Sequence, residues 1–185
     1  MNKKRKRKKE PLKIHRCPIC MCSDSVRKIG KNNFFCANCC VELNLQDGEI
    51  SSMDIDENGN IKSELYTLNG RYHRDDGPAY IRYHENGNIA YEKYYINSKE
   101  HRDKSPACIN YYESGKVRYE IHYSEGLVHS DTLPAKIFYN ENGCINCEEY
   151  YINGLRHREN GPACISYKQN GAVEYTSCLL YTSDA

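Results

Sequence analysis

Two pairs of cysteines near the N-terminus have the spacing of a metal site. Cys17 and Cys20 form one Cys-x-x-Cys pair, and Cys36 and Cys39 form a second, with fifteen residues between the pairs. Each pair can turn tightly enough to present two thiolates, and a hairpin between them can bring all four sulfurs to one tetrahedral ion. We therefore predict a single Zn²⁺ held by these four cysteines. Because four thiolates complete the coordination sphere, the zinc is expected to be structural rather than catalytic.

Three other metal-binding side chains lie beside these pairs, so the ligand set has alternatives. Cys22 and Cys40 each neighbour a pair, and His15 precedes Cys17 by two residues. The four chosen cysteines are favoured because both pairs then keep the same internal spacing.

The charge of the chain is concentrated at its start. Residues 1–16 contain nine Lys and Arg residues and one acid, whereas the whole chain has a net charge of only +1. Such an arm is typical either of contact with the phosphates of nucleic acid or anionic lipid, or of a disordered tail that adds solubility. The nucleic-acid interpretation names Lys3, Lys4, Arg5, Lys6, Arg7, Lys8 and Lys9 in the arm, and Arg27, Lys28 and Lys31 with Phe34 and Phe35 on the expected hairpin.

The amino-acid composition indicates what the hydrophobic core is made of and in which cellular compartment the protein is expected. The chain has 17 Tyr but no Trp and only 3 Phe, so apolar area must come largely from Tyr and Ile on half-buried strands. No run approaches the roughly 18 apolar residues of a membrane span, and no apolar signal segment follows the basic start. The 11 cysteines then indicate thiols or metal ligands in a reducing cytoplasm.

From residue 53 the chain repeats with a period of 28 residues. One position of the repeat is always glycine, another is always histidine, and a third is always proline. The glycines and histidines, for which we predict a structural role, are Gly59, Gly87, Gly115, Gly143, His73, His101, His129 and His157. The alternative is that the four imidazoles bind phosphate or metal, but a residue that recurs once per unit usually builds the unit. The glutamates that recur from Glu64 are expected on a solvated face.

The residue pattern within each unit predicts antiparallel strands. Ile81 and Tyr83 alternate before the Asn86-Gly87 pair, and a second turn signal follows about ten residues later. Asn-Gly between alternating runs favours a hairpin because both residues tolerate positive φ. We predict an all-β chain: a small zinc ribbon followed by an extended, single-layer antiparallel β-meander of 28-residue repeats.

Two families resemble parts of this chain. Residues 15–42 resemble the zinc-ribbon family in their order of knuckle, strand, turn, strand and knuckle. Residues 53–177 resemble the variant MORN-type repeats of bacteria and viruses, through the Tyr-x-x-Asn-Gly-x-x-His core at 150–157 and the Gly-Pro-Ala that follows. The second resemblance implies an extended meander that binds proteins or, in some members, lipids. Some bacterial members are labelled antitoxins.

The last eight residues break the repeat. Residues 178–185, Cys-Leu-Leu-Tyr-Thr-Ser-Asp-Ala, resemble the translated end of a sequencing adapter, and the alternative is a natural capping segment. The predicted organisation is a disordered basic arm at 1–14, a ribbon at 15–45, a short connection at 46–52, and repeat units at 53–80, 81–108, 109–136, 137–164 and, in part, 165–177.

The patterns favour a non-catalytic binding or scaffold protein. No nucleophile, base and orienting group occur together in the sequence, and no phosphate-binding loop or open metal site is visible. We expect a protein partner on the repeat sheet. The alternatives are a nucleic-acid-associated protein that uses the arm and ribbon, an antitoxin-like partner-binding protein, and an enzyme whose catalytic part lies beyond residue 185.

Overall fold

The computed structural model describes residues 17, 22, 26–30, 33–39, 41–46 and 49–177. The predicted arm at 1–14, the ligand Cys20, the candidates His15, Lys31 and Cys40, and the segment 178–185 lie outside these residues. Within the described part the chain forms only β-strands and turns, which confirms the all-β prediction. That part contains no helix with the length and apolar character to cross a bilayer.

Most strands form one long antiparallel sheet. The sheet begins with five strands: β1 Val26–Lys28, β2 Asn33–Cys36, β3 Val41–Gln46, β4 Glu49–Ile55 and β5 Ile61–Leu68. The sheet then continues with β6 Arg71–Tyr72, β7 Tyr80–Tyr83, β8 Ile89–Lys93, β11 Cys108–Tyr111, β12 Val117–Ile121, β15 Lys136–Tyr139, β16 Ile145–Glu149, β19 Cys164–Tyr167 and β20 Val173–Ser177. Except for β6, which pairs β5, neighbours in the sheet follow chain order, as a meander requires.

Three short hairpins extend the units at one side of the sheet. They are β9 Tyr95–Ile96 with β10 Lys99–Glu100, β13 Tyr123–Ser124 with β14 Leu127–Val128, and β17 Tyr151–Ile152 with β18 Leu155–Arg156. Each hairpin is also joined to the preceding unit by a backbone hydrogen bond, such as Gly126 N–H to Glu100 O at 2.9 Å. The described residues contain no helix and no second large sheet, so the repeat region is a single layer.

The segment 46–52, predicted as a short connection, contains strand residues. β3 ends at Gln46 and β4 begins at Glu49, and these two strands pair antiparallel. β4 pairs in turn with β5, which pairs with β7. The strands of the ribbon and those of the repeats therefore belong to one sheet.

The two turn positions of each unit have different geometries. At Asn153-Gly154 both residues have positive φ, 50° and 82°, which is the type I′ hairpin turn expected for Asn-Gly. At Asn86-Gly87 only Gly87 does, at 85°. Here Gly87 N–H donates to His84 O and His84 N–H donates to Asn88 O, which makes a four-residue turn with a bulge. Only the glycine of this pair needs positive φ, because the extra residue lets Asn86 remain at negative φ.

The most buried residue of each repeat is the alanine that follows the recurring proline. Ala79, Ala107 and Ala135 are 0 % exposed, and Ala163 is 3 % exposed. Both backbone groups of this alanine are bonded: Tyr94 N–H of the same unit donates to Ala107 O at 2.8 Å, and Ala107 N–H donates to Ile121 O of the next unit at 2.9 Å. Only a side chain as small as alanine leaves both of these bonds in place at a fully buried position.

Candidate metal centre and binding faces

Three of the four predicted zinc ligands lie together. Cys17, Cys36 and Cys39 place their sulfur atoms within 4.8 Å of one another, and the Sγ atoms of Cys17 and Cys39 are 3.5 Å apart. Tetrahedral zinc with Zn–S bonds of about 2.3 Å separates its sulfurs by about 3.8 Å. The spacing and the soft thiol donors therefore suit zinc, and the fourth predicted ligand, Cys20, is outside the described residues.

The strands of the ribbon position these thiols in its small core. Cys36 ends β2, and the turn after it carries Cys39, while Cys17 N–H donates to Cys22 O at 3.0 Å. Cys17 and Cys36 are completely buried and pack with a cluster formed by Phe34, Val41 and Leu43. Cys22, the alternative ligand that can be placed, is exposed and does not belong to the cluster of three thiols. A bound ion would thus lie beside the buried side chains of Phe34, Val41 and Leu43.

Two of the cations predicted to contact nucleic acid are among the described residues, and both lie on β1. Arg27 and Lys28 are exposed on β1. The Arg27 guanidinium lies 5.3 Å from the centre of the Phe35 ring, and the Lys28 amine lies 5.8 Å from that of Phe34. These two cations therefore lie beside aromatic rings on an edge strand of the sheet.

The recurring histidines join neighbouring units. The Nδ1 atom of His101 accepts the Glu125 N–H at 3.3 Å, and Nε2 lies 3.2 Å from Asp103 Oδ1. His73 and His129 make the corresponding pairs of contacts, with Asn97 and Asp75 and with Asn153 and Asp131. Because Nδ1 accepts a hydrogen bond from a backbone N–H, the neutral ring carries its hydrogen on Nε2. The Nε2–H group then donates a hydrogen bond to the carboxylate. These contacts anchor one type I′ turn to the unit before it.

In three of the four units, the arginine after the histidine stacks on a tyrosine of its own unit. Arg102 lies 3.8 Å above the Tyr94 ring, and Arg74 and Arg158 stack in the same way on Tyr66 and Tyr150. In the third unit the arginine position holds Ser130, and the tyrosine position holds His122. Both partners are thus replaced in the same unit, which marks the stack as a paired feature of the repeat. Burial lowers the pKa of His122, and the nearby Glu120 only partly offsets this.

The recurring glutamates are not solvated as we expected. Each is half-buried and accepts a hydrogen bond from a tyrosine on the next strand of the large sheet. The pairs are Tyr83 Oη to Glu64 at 2.6 Å, Tyr111 to Glu92 at 2.9 Å, Tyr139 to Glu120 at 3.2 Å and Tyr167 to Glu148 at 2.8 Å. We call this side of the sheet the glutamate face. Sequence reasoning had a signal for the pairs, because tyrosine recurs 19 residues after each of these glutamates.

We call the four tyrosine–glutamate hydrogen bonds the glutamate ladder. They predict that the chain becomes less stable at alkaline pH. Burial, together with the neighbouring Glu64, raises the pKa of Tyr83 to about 12, and Tyr139 and Tyr167 are raised to about 12 for the same reasons. The folded chain therefore holds these protons after the unfolded chain has lost them at its ordinary pKa of about 10. Their contribution to the free energy of unfolding is complete below about pH 10 and is lost as the pH rises to about 12.

Thermal unfolding measured against pH, together with tyrosinate absorbance, tests this expectation. Tyr139→Phe removes one ladder hydroxyl and should make the alkaline decline less steep. The matched control is Tyr175→Phe on β20, since that ring is 60 % exposed. A melting temperature that stays constant from about pH 10 to 12 would contradict the prediction.

The opposite side of the sheet, which we call the tyrosine face, carries aromatic and cationic side chains. Direct cross-strand partners such as Tyr80 with Lys93 and Arg82 with Tyr91 lie on this side. The face comprises Leu65, Tyr80, Arg82, Tyr91, Lys93, Cys108, Tyr119, Ile121, Lys136, Phe138, Cys147, Glu149 and Cys164. Tyr80 and Tyr91 meet edge to face at 5.3 Å, and Tyr119 and Phe138 are 5.9 Å apart. Its middle is therefore a row of rings, most of them half-buried.

Comparison with known proteins identifies the N-terminal part. The YrzR-like zinc ribbon domain matches residues 25–68. The uncharacterized protein YrzR of Bacillus subtilis (strain 168) is 36% identical over 47 residues, which are 25% of this chain and 73% of that protein. This chain belongs to the YrzR-like zinc ribbon family. Residues 79–97 and 107–125 match the MORN repeat variant, so the YrzR-like ribbon is followed by MORN-type repeats. No solved structure matches the chain.

The YrzR-like match has a different range from the ribbon predicted at 15–45. It includes β1 to β5 and contains Cys36 and Cys39, but it begins after Cys17 and Cys20. At its other end it overlaps the first 28-residue unit, since the end of β4 and all of β5 belong to both. The YrzR-like ribbon and the thiol cluster together indicate a bound metal, with zinc the ion that the family and the donors favour.

Proposed function

We propose that this chain is a non-catalytic scaffold whose tyrosine face binds a protein partner and whose ribbon holds one structural zinc ion. The observation that carries the proposal is the continuous single-layer sheet, on which a row of tyrosines and cations lies without a covering layer in the described residues. Tyrosine and arginine are enriched in protein interfaces because they bury large area with few rotatable bonds. The glutamate face is less suited, since its carboxylates already accept hydroxyl groups.

In the same proposal, the zinc ion stabilises the β1 end of the sheet. Cys17, Cys36 and Cys39, with Cys20 as the fourth ligand, would hold one ion at the β1 end. Zinc supplies folding free energy to a segment too small to form a stable apolar core by itself. The 11 cysteines support a cytoplasmic location, because a reducing compartment keeps thiols available.

Site-specific photo-crosslinking in the source cells tests the binding face. A crosslinking amino acid at Arg82 lies on the tyrosine face, and one at Lys62 is the matched control, since both side chains are exposed but Lys62 alternates to the glutamate face. The expected result is a discrete protein adduct from position 82 and none from position 62. Equal adducts from both positions, or none from position 82, would contradict the proposal.

A second candidate is nucleic-acid binding through the arm and β1. The exposed Arg27 and Lys28 beside Phe35 and Phe34 favour it. Neutralising about seven phosphates would give a slope of log affinity against log salt near −6. Removing residues 1–10 should then abolish binding to DNA or RNA. Unchanged affinity after this truncation would reject the arm as the contact.

A further inference from the structure

A second group of metal-binding side chains lies at the junction between the last two units. Cys147 and Glu149 are on β16, and Cys164 is on the adjacent strand β19. Glu149 is directly opposite Cys164, and Cys147 is opposite Ser166, so all of them point to the tyrosine face. The two sulfur atoms are 3.8 Å apart, and the nearest Glu149 oxygen completes a set within 4.8 Å. This distance equals the sulfur separation of about 3.8 Å that tetrahedral zinc imposes.

The repeat itself does not require these residues. The same three positions at the earlier junctions hold Ser63, Leu65 and Tyr80, then Tyr91, Lys93 and Cys108, then Tyr119, Ile121 and Lys136. No earlier junction has more than one thiol, and none has a carboxylate. Two thiols and a carboxylate thus occur together only at the junction of β16 and β19, where the strand register brings them into contact.

The carboxylate of Glu149 is already oriented by its surroundings. Arg156 Nη2 donates to Oε1, the Tyr151 hydroxyl donates to Oε2 at 3.2 Å, and the Lys136 amine is 3.8 Å from Oε2. Ligating carboxylates in metal sites are commonly held by such outer hydrogen bonds. Two cations beside the group would also offset the negative charge of a cation bound by two thiolates and a carboxylate.

We propose that Cys147, Glu149 and Cys164 bind one thiophilic divalent cation, Zn²⁺ or Cd²⁺, separately from the ribbon. As the two metal–sulfur bonds form, the two thiol protons pass to solvent, and water takes the fourth position.

Cadmium titration of the reduced full-length chain, followed by the ultraviolet thiolate-to-cadmium absorbance, tests the site. The intact chain should bind two equivalents, one in the ribbon and one at the junction. Cys147→Ser and Cys164→Ser should each bind one equivalent fewer. Glu149→Gln should raise the junction Kd by at least about tenfold, the scale of losses at metal-site side chains. Thermal unfolding of each variant confirms that it is folded.

Two matched variants keep the test decisive. Cys108→Ser changes a buried thiol in the Cys164 position of an earlier junction, and Cys144→Ser changes an exposed thiol at the turn before β16. Both should retain two equivalents. The proposal fails if Cys147→Ser still binds two, if the two control variants lose as much cadmium as the junction variants, or if Cys147 and Cys164 form a disulfide that excess cadmium does not prevent.

Discussion

Cys36→Ser is expected to remove the ribbon metal and to unfold the β1 end of the sheet. Cys36 is completely buried beside Phe34, Val41 and Leu43, so a serine there lacks a strong zinc ligand and buries a hydroxyl. Structural zinc contributes an apparent free energy of about 10–16 kcal/mol in small zinc domains, which this cluster cannot replace by packing. Elemental analysis should show one metal equivalent fewer.

Hydrogen exchange should locate the damage. Protection is expected to fall in β1 to β3 and to persist from β7 onward, because each repeat is stabilised by its immediate neighbours. Cys144→Ser, the same chemical change at an exposed turn, is the control and should leave both metal content and exchange unchanged. Full metal content in Cys36→Ser would contradict the ligand assignment, and loss of protection across all units would contradict local stacking.

Ala107→Leu should destabilise the repeat array more than any substitution at an exposed position. Ala107 is 0 % exposed, and its N–H and C=O are both bonded, to Ile121 O and to Tyr94 N–H, so the backbone cannot move away from a larger side chain without losing those bonds. Overpacking of this kind typically costs about 1–3 kcal/mol. Chemical denaturation should show a lower midpoint for the variant.

Ala172→Leu is the matched control, because Ala172 is exposed in the turn before β20. Its effect should stay within about 0.5 kcal/mol, as for most surface substitutions. Equal denaturation midpoints for Ala107→Leu and the native chain would mean that the layer can expand at this position, and that the alanine is not required by packing.

The 28-residue period allowed most of the repeat sheet to be predicted. Once the glycine and histidine positions were aligned, the strands between them followed from alternation and the turns from Asn-Gly. The geometry at Asn86-Gly87 did not follow, because Asn-Gly suits both a two-residue turn and a four-residue turn with a bulge. Only the closing bonds of His84 distinguish the two.

The junction between ribbon and repeats was missed for a different reason. Residues 46–52 are mostly polar and lack the alternation of apolar and polar residues that marks a strand. The sequence signal for a hairpin there is the Asp47-Gly48 pair. The partnership of Cys147 with Cys164 was also beyond sequence reasoning, because the two residues occupy different positions of the repeat. Their proximity depends on the register of β16 against β19.

The register also fixes how the length of this protein can change. Each unit contributes two strands to the large sheet, and strands lie about 4.8 Å apart, so adding or deleting 28 residues lengthens or shortens the sheet by about 9.6 Å. Such a change leaves the ribbon and the glutamate ladder in place, and each remaining side chain stays on the same face of the sheet. Insertion or deletion of whole units would therefore change the length of the sheet without changing how the remaining units pack on their neighbours.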